Sequence, residues 1–282
     1  MKARILTAVI GICVLLPILF FSHTIVLPIA VAVFSAMGVW EMLGCIGMRK
    51  KPEITIPALL LAAALPFGAR YFVEARSLSF YMTLIAGLAF TFMFYLLALA
   101  VVSHGTKTVA DVSITFVSVM YVIVGFMSIQ LLRDLEFGIY YFASVFVCPW
   151  FSDAAGYFVG RALGKHKLIP DVSPKKTVEG AVGGLVFGAI GLVIVGLVAS
   201  LVDGLAPNYI GLALLGLVLA VISIFGDLIA SIIKRTYDIK DYGKLFPGHG
   251  GVMDRFDSTV AVAPFLLMAV SQPEIFALFM IA

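Results

Sequence analysis

Nine stretches of about 20 apolar residues follow one another along this chain, each long enough to cross the hydrocarbon core of a bilayer as a helix. They span roughly 5–22, 25–48, 54–74, 79–103, 109–132, 137–162, 179–202, 208–235 and 257–280. Inside a bilayer no water is present to pair backbone polar groups, so runs of this length must close their hydrogen bonds as helices. The expected fold is therefore all-α, a polytopic integral membrane protein of about nine transmembrane helices. Composition agrees: 62% of residues are hydrophobic and only 12% charged, against about 25% charged in soluble domains. Lys2 and Arg4 before the first run resemble the start of a signal peptide. No small-residue cleavage site follows, and a second apolar run begins almost at once, so the first run is kept as a helix.

Basic residues collect on the cytoplasmic side of short loops. With the N-terminus inside, 16 Lys and Arg residues fall on the cytoplasmic face, and 3 (Arg70, Arg76 and Arg133) fall on the other. Dropping any one helix scrambles that partition. The expected location is the cell inner (plasma) membrane, multi-pass, with a cytoplasmic N-terminus and a cytoplasmic active side. A net charge of +3, with no basic run interleaved with aromatics, argues against nucleic acid as a partner. Cys13, Cys45 and Cys148 sit in apolar runs without CxxC spacing and read as small buried hydrophobes.

The chain is read as one membrane-embedded domain. Residues 1–105 form a bland scaffold or lipid-facing part, and 106–282 carry the chemistry. In the first part Glu41 is a buried acid, read as snorkelling or bonding a neighbouring helix. Asp111 is read as stabilising a helix N-terminus. Further on, Asp153 lies eight residues before Arg161, about 12 Å along a helix, and Asp227 lies seven before Lys234, about 10 Å. Two carboxylates at one depth point to a shared cation or basic partner, with a structural pair such as Asp227–Lys234 as the plainer reading. The loop after Arg161 mixes Lys165, Lys167, Lys175 and Lys176 with Ser173, Thr177 and Glu179, the composition of an anion site. Gly180, Gly184 and Gly188 follow at four-residue spacing, which favours close helix packing. Neither a Walker A motif nor GxGxxG occurs.

The run Ser231-x-x-Lys234-Arg235-x4-Lys240-Asp241-x-Gly243-x3-Pro247-Gly248-His249-Gly250-Gly251-x2-Asp254-Arg255-x-Asp257 resembles the signature of the phosphatidate cytidylyltransferase, or CDP-diacylglycerol synthase, family. Ser152-Asp153 and Ser173-Pro174-Lys175-Lys176-Thr177-x-Glu179-Gly180 resemble it too. The resemblance covers roughly residues 150–260. It implies that CTP and phosphatidate give CDP-diacylglycerol and pyrophosphate with a divalent cation, usually Mg²⁺, and with a second cation as an option. That chemistry suits half-buried acids and basic loops at a membrane face. Asp227 and Asp254 are the first expected metal ligands, with Asp153 and Asp257 as outer or second-cation ligands. Lys234, Arg235, Lys240, Lys175, Lys176 and Arg255 are expected on triphosphate or lipid phosphate. Ser173 and Thr177 supply hydroxyls, and the backbone of Gly248 to Gly251 supplies an anion nest. His249 is expected either to donate to pyrophosphate or to make a structural hydrogen bond. The family resemblance and the glycine-lined helix also raise a homodimer.

Two other functions fit parts of the pattern. An ion-coupled transporter also needs intramembrane acids, but no inverted repeat is visible and the charge crowds at one face. A CTP-dependent enzyme acting on another lipid phosphate or a polyprenol would share the motif. A structural scaffold would not need these acids.

Overall fold

The computed structural model describes residues 17–75, 78–246, 248, 250–271 and 278–281. Eight long helices dominate: α1 (Val26–Cys45), α2 (Pro52–Ala75), α3 (Leu78–Val102), α4 (Val109–Asp134), α5 (Gly138–Leu163), α6 (Val178–Asp203), α7 (Tyr209–Thr236) and α8 (Met253–Val270). Four short strands complete the described residues: β1 (Lys167–Ile169), β2 (Ser173–Thr177), β3 (Leu205–Pro207) and β4 (Phe279–Ile281). Among the described residues seven helices, α1 to α7, are long and apolar enough to cross a membrane. This is a mostly helical, multi-pass membrane protein. Their ends fall within a few residues of the apolar runs, because run length is what lipid selects. The run at roughly 5–22 lies almost wholly outside the described residues, as do Lys2, Arg4 and Arg76.

The last apolar run behaves differently from its expected span of 257–280. Its helix starts at Met253, four residues early, and ends at Val270. Two backbone N–H groups at its start, those of Val252 and Met253, find a carboxylate acceptor in Glu41, which lets the helix begin there. At the far end β4 pairs antiparallel with β3, Leu205 opposite Ile281 and Pro207 opposite Phe279. Those backbone groups are satisfied by a strand partner, not by a further helical turn.

The chain divides into two compact units. One comprises Met1–Leu131 and Tyr237–Arg255. Within it Tyr81 donates to the Leu65 carbonyl, joining α3 to α2. Lys107 Nζ lies 2.9 Å from Glu53 Oε1. Thr108 and Asp111 form a reciprocal cap on α4: Thr108 N donates to Asp111 Oδ2 at 2.9 Å, and Asp111 N to Thr108 Oγ1 at 3.1 Å.

The other unit comprises Leu132–Thr236 and Phe256–Ala282. Here the glycines of α6 do the packing. A Cβ placed on Gly180 would stand 2.6 Å from the Gly156 carbonyl of α5, and one on Gly188 would stand 2.7 Å from Ala220 Cβ of α7. The four-residue glycine spacing is thus spent inside one chain, on contacts with α5 and α7, which leaves a homodimer without that support.

Candidate active site

The second unit gathers three of the expected acids. Asp153 comes from α5, Asp227 from α7 and Asp257 from the first turns of α8. Close glycine contacts bring the helices that carry them together. A Cβ on Gly184 of α6 would stand 2.9 Å from Ser152 Oγ, the neighbour of Asp153. A Cβ on Gly226 would stand 3.0 Å from the Asp257 carbonyl oxygen, so α7 and α8 meet backbone to backbone beside Asp227. The charge of Asp227 acts on both Asp153 and Asp257. All three side chains keep access to the outside: Asp153 is exposed, and Asp227 and Asp257 are half-buried.

Positive charge is placed among them. Lys176 Nζ lies 2.5 Å from Asp227 Oδ2 and donates to the Ile224 carbonyl at 3.4 Å. Its charge also acts on Asp153, and that of Lys234 acts on Asp257. Lys176 reaches this position because β2 alternates faces. Lys175 is exposed and Lys176 half-buried, so the two adjacent lysines point opposite ways. The plainer sequence reading paired Asp227 with Lys234 on its own helix; the structure gives Asp227 the strand lysine. Among the described residues no three His, Cys, Asp or Glu side chains are grouped closely enough to hold a metal by themselves.

The loop β1–β2 stands at the start of α6. Lys167 pairs across to Thr177, and Lys167 Nζ donates to the Pro174 carbonyl at 2.7 Å. Ser173 is half-buried at the strand's start. Thr177 is buried, and its hydroxyl oxygen accepts from Gly180 N at 3.1 Å, so the oxygen expected to meet substrate caps α6. Glu179, in the first turn of α6, bonds His166 Nδ1 at 2.7 Å. The His166 contact has no signal in residue spacing alone.

In the first unit the glycine turn leads into α8. Gly248 and Gly250 hold φ of 78° and 83°, a conformation that favours glycine. Phe246 N donates to the Gly250 carbonyl at 2.9 Å. Asp254 Oδ2 accepts from Tyr242 N at 2.8 Å and from Gly251 N at 2.9 Å. The expected anion nest therefore loses the Gly251 N–H, which Asp254 already holds. Pro247 and His249 lie outside the described residues. Asp254 and Asp257 are three residues apart on α8 and so share a face. Arg235, Lys240 and Arg255 are exposed.

Of the two readings given for Glu41, snorkelling or a bond to a neighbouring helix, the structure supports the bond. Glu41 is 6% exposed, so it does not snorkel. Its Oε1 accepts from Val252 N at 3.0 Å and its Oε2 from Met253 N at 2.9 Å.

The sequence matches the model of the Cytidylyltransferase family over residues 2–272. It is 36% identical over 271 residues to a phosphatidate cytidylyltransferase of Bacillus subtilis (strain 168), covering 94% of this chain and 96% of that protein. It is 34% identical to one of Staphylococcus haemolyticus and 35% identical to one of Staphylococcus saprophyticus, each alignment covering 94% of this chain and 97% of the relative. With accessible acids on apolar helices beside a strand lysine, and a match running almost end to end, the chain belongs to the cytidylyltransferase family.

Proposed function

We propose that this protein transfers the cytidylyl group of CTP to phosphatidate, giving CDP-diacylglycerol and pyrophosphate in phospholipid biosynthesis. The observation that supports it is the grouping of Asp153, Asp227 and Asp257, on otherwise apolar helices, with Lys176 of β2. The chain aligns over 94% of its length with proteins that bear the name phosphatidate cytidylyltransferase. A phosphate oxygen of the lipid attacks the α-phosphorus of CTP. The new P–O bond forms as the bond to the β-phosphate oxygen breaks, and the electron pair leaves on pyrophosphate. Both reactants are polyanions, so neutralisation and positioning dominate the barrier. Lys176 and Lys234 sit beside the acids, and Lys175, Arg235, Lys240 and Arg255 supply further positive charge. Ser173 and the backbone of Gly248 and Gly250 add donors.

The carboxylates proposed to hold Mg²⁺ are Asp227 and Asp254 as first ligands, with Asp153 and Asp257 as outer or second-cation ligands. When bound, the ion neutralises phosphate charge. Asp254 enters this assignment with Oδ2 already fixed by two backbone N–H groups. The remaining parts of the reading are nine membrane crossings with a cytoplasmic N-terminus, the plasma membrane with a cytoplasmic active face, and a homodimer. Native mass measurement in mild detergent tests the dimer, and a fully active monomer would remove it.

The deciding experiment incubates purified protein with labelled CTP and Mg²⁺, and with either phosphatidate or a polyprenyl phosphate. Labelled CDP-diacylglycerol from phosphatidate is expected. Label passing only to the polyprenyl phosphate, or to neither lipid, would overturn the proposal.

A further inference from the structure

We infer that Glu41 is a positioning residue for this reaction, holding the glycine turn and the start of α8 in the arrangement that aims Asp254. The inference rests on the cytidylyl-transfer reading above. Glu41 belongs to α1, a helix of apolar residues, and its side chain is buried. A carboxylate there loses its hydration and needs strong compensation. It takes two charge-assisted bonds from consecutive backbone N–H groups, Val252 at 3.0 Å and Met253 at 2.9 Å. Those groups open α8, whose N-terminus carries partial positive charge.

The turn is shaped around this carboxylate. A Cβ at either Gly243 or Gly251 would fall on the Glu41 carboxylate oxygens, so both glycines leave room for it. Gly251 is held on two sides. Its N–H goes to Asp254 Oδ2 at 2.9 Å, and its Cα faces Glu41. Asp254 also takes Tyr242 N at 2.8 Å. Four backbone N–H groups between residues 242 and 253 are therefore divided between two carboxylates. Glu41 acts through backbone N–H groups in this arrangement. It sets where Gly251 stands, and Gly251 helps set where the Asp254 carboxylate points.

Glu41→Gln keeps the shape but turns one acceptor oxygen into an NH₂ that faces an N–H. In the full chain, kcat for cytidylyl transfer is expected to fall about 10- to 100-fold, with KM for CTP within about threefold, as for misplacement of a catalytic group by about 1 Å. Hydrogen exchange in the peptide spanning 248–256 is expected to rise. The melting temperature should stay within a few degrees of wild type. Wild-type kcat with wild-type exchange would overturn the inference. So would a loss of folded protein with unchanged kcat per folded molecule, which assigns Glu41 to folding alone. A wild-type chain inactive on phosphatidate would sink the functional reading instead, and the exchange measurement would still decide whether Glu41 holds the turn.

Discussion

Lys176 Nζ and Asp227 Oδ2 are 2.5 Å apart, and they come from a two-stranded ribbon and a long apolar helix. Neighbouring Lys175 faces away. The two lysines are therefore expected to differ. Lys176→Ala should lower kcat/KM for CTP by about 10- to 1000-fold, as for loss of one charge-assisted contact beside a carboxylate. Lys175→Ala should cost less than about tenfold, since its charge is exposed and screened. Steady-state kinetics on the two single variants check this, and equal losses would cancel the distinction.

Asp227→Asn and Asp254→Asn preserve shape and remove charge. Each is expected to lower turnover by at least about 100-fold and to abolish its rise with Mg²⁺ concentration. Asp111→Asn is the contrast, because Asp111 caps α4 through Thr108. Asn keeps an oxygen that can accept from Thr108, so folding should change little and turnover should stay within about threefold. A Mg²⁺ titration of all three variants is the measurement. Near-normal Mg²⁺ dependence in either of the first two would remove that residue from the metal.

Gly180→Ala should destabilise the protein. The added carbon would stand 2.6 Å from a backbone carbonyl of α5, which cannot swing away as a side-chain end can. A cost of about 1–3 kcal/mol is expected, as for overpacking a tight contact. Thermal unfolding in detergent reads it. Gly204→Ala gives a comparison of another kind, since that residue meets no neighbour but ends α6 at φ of 65°.

Orientation is open to direct labelling. A cysteine introduced near Arg76 should react with an impermeant reagent from outside the cell, and one near Lys167 should not. The reverse pattern would invert the topology that the basic residues favour.

Much of the scaffold could be read in advance because lipid imposes few choices. The run at 109–132 became α4 at Val109–Asp134, and that at 179–202 became α6 at Val178–Asp203. The acids at 153 and 227 stood out because apolar residues flank them, and Asp257 because it closes the charged motif that begins at Lys234. Three features were beyond spacing alone. The opposite facing of Lys175 and Lys176 depends on a strand too short to announce itself. The strand at 279–281 depends on a partner some 70 residues earlier, near Leu205. Glu41 depends on backbone N–H groups, which every residue but proline carries and which composition cannot single out. The glycines at 243 and 251 were the available clue, since tight turns against a side chain need them.

The sequence distance behind the Glu41 contact has a consequence for biosynthesis. Its two N–H donors arrive 211 and 212 residues later in the chain. At ribosomal speeds of about 5–20 residues per second, α1 waits about 10–40 s for them. Throughout that interval an acid in the second apolar run has no native partner. The nascent chain must hold that helix near water, or keep the acid protonated, until residue 253 has left the ribosome.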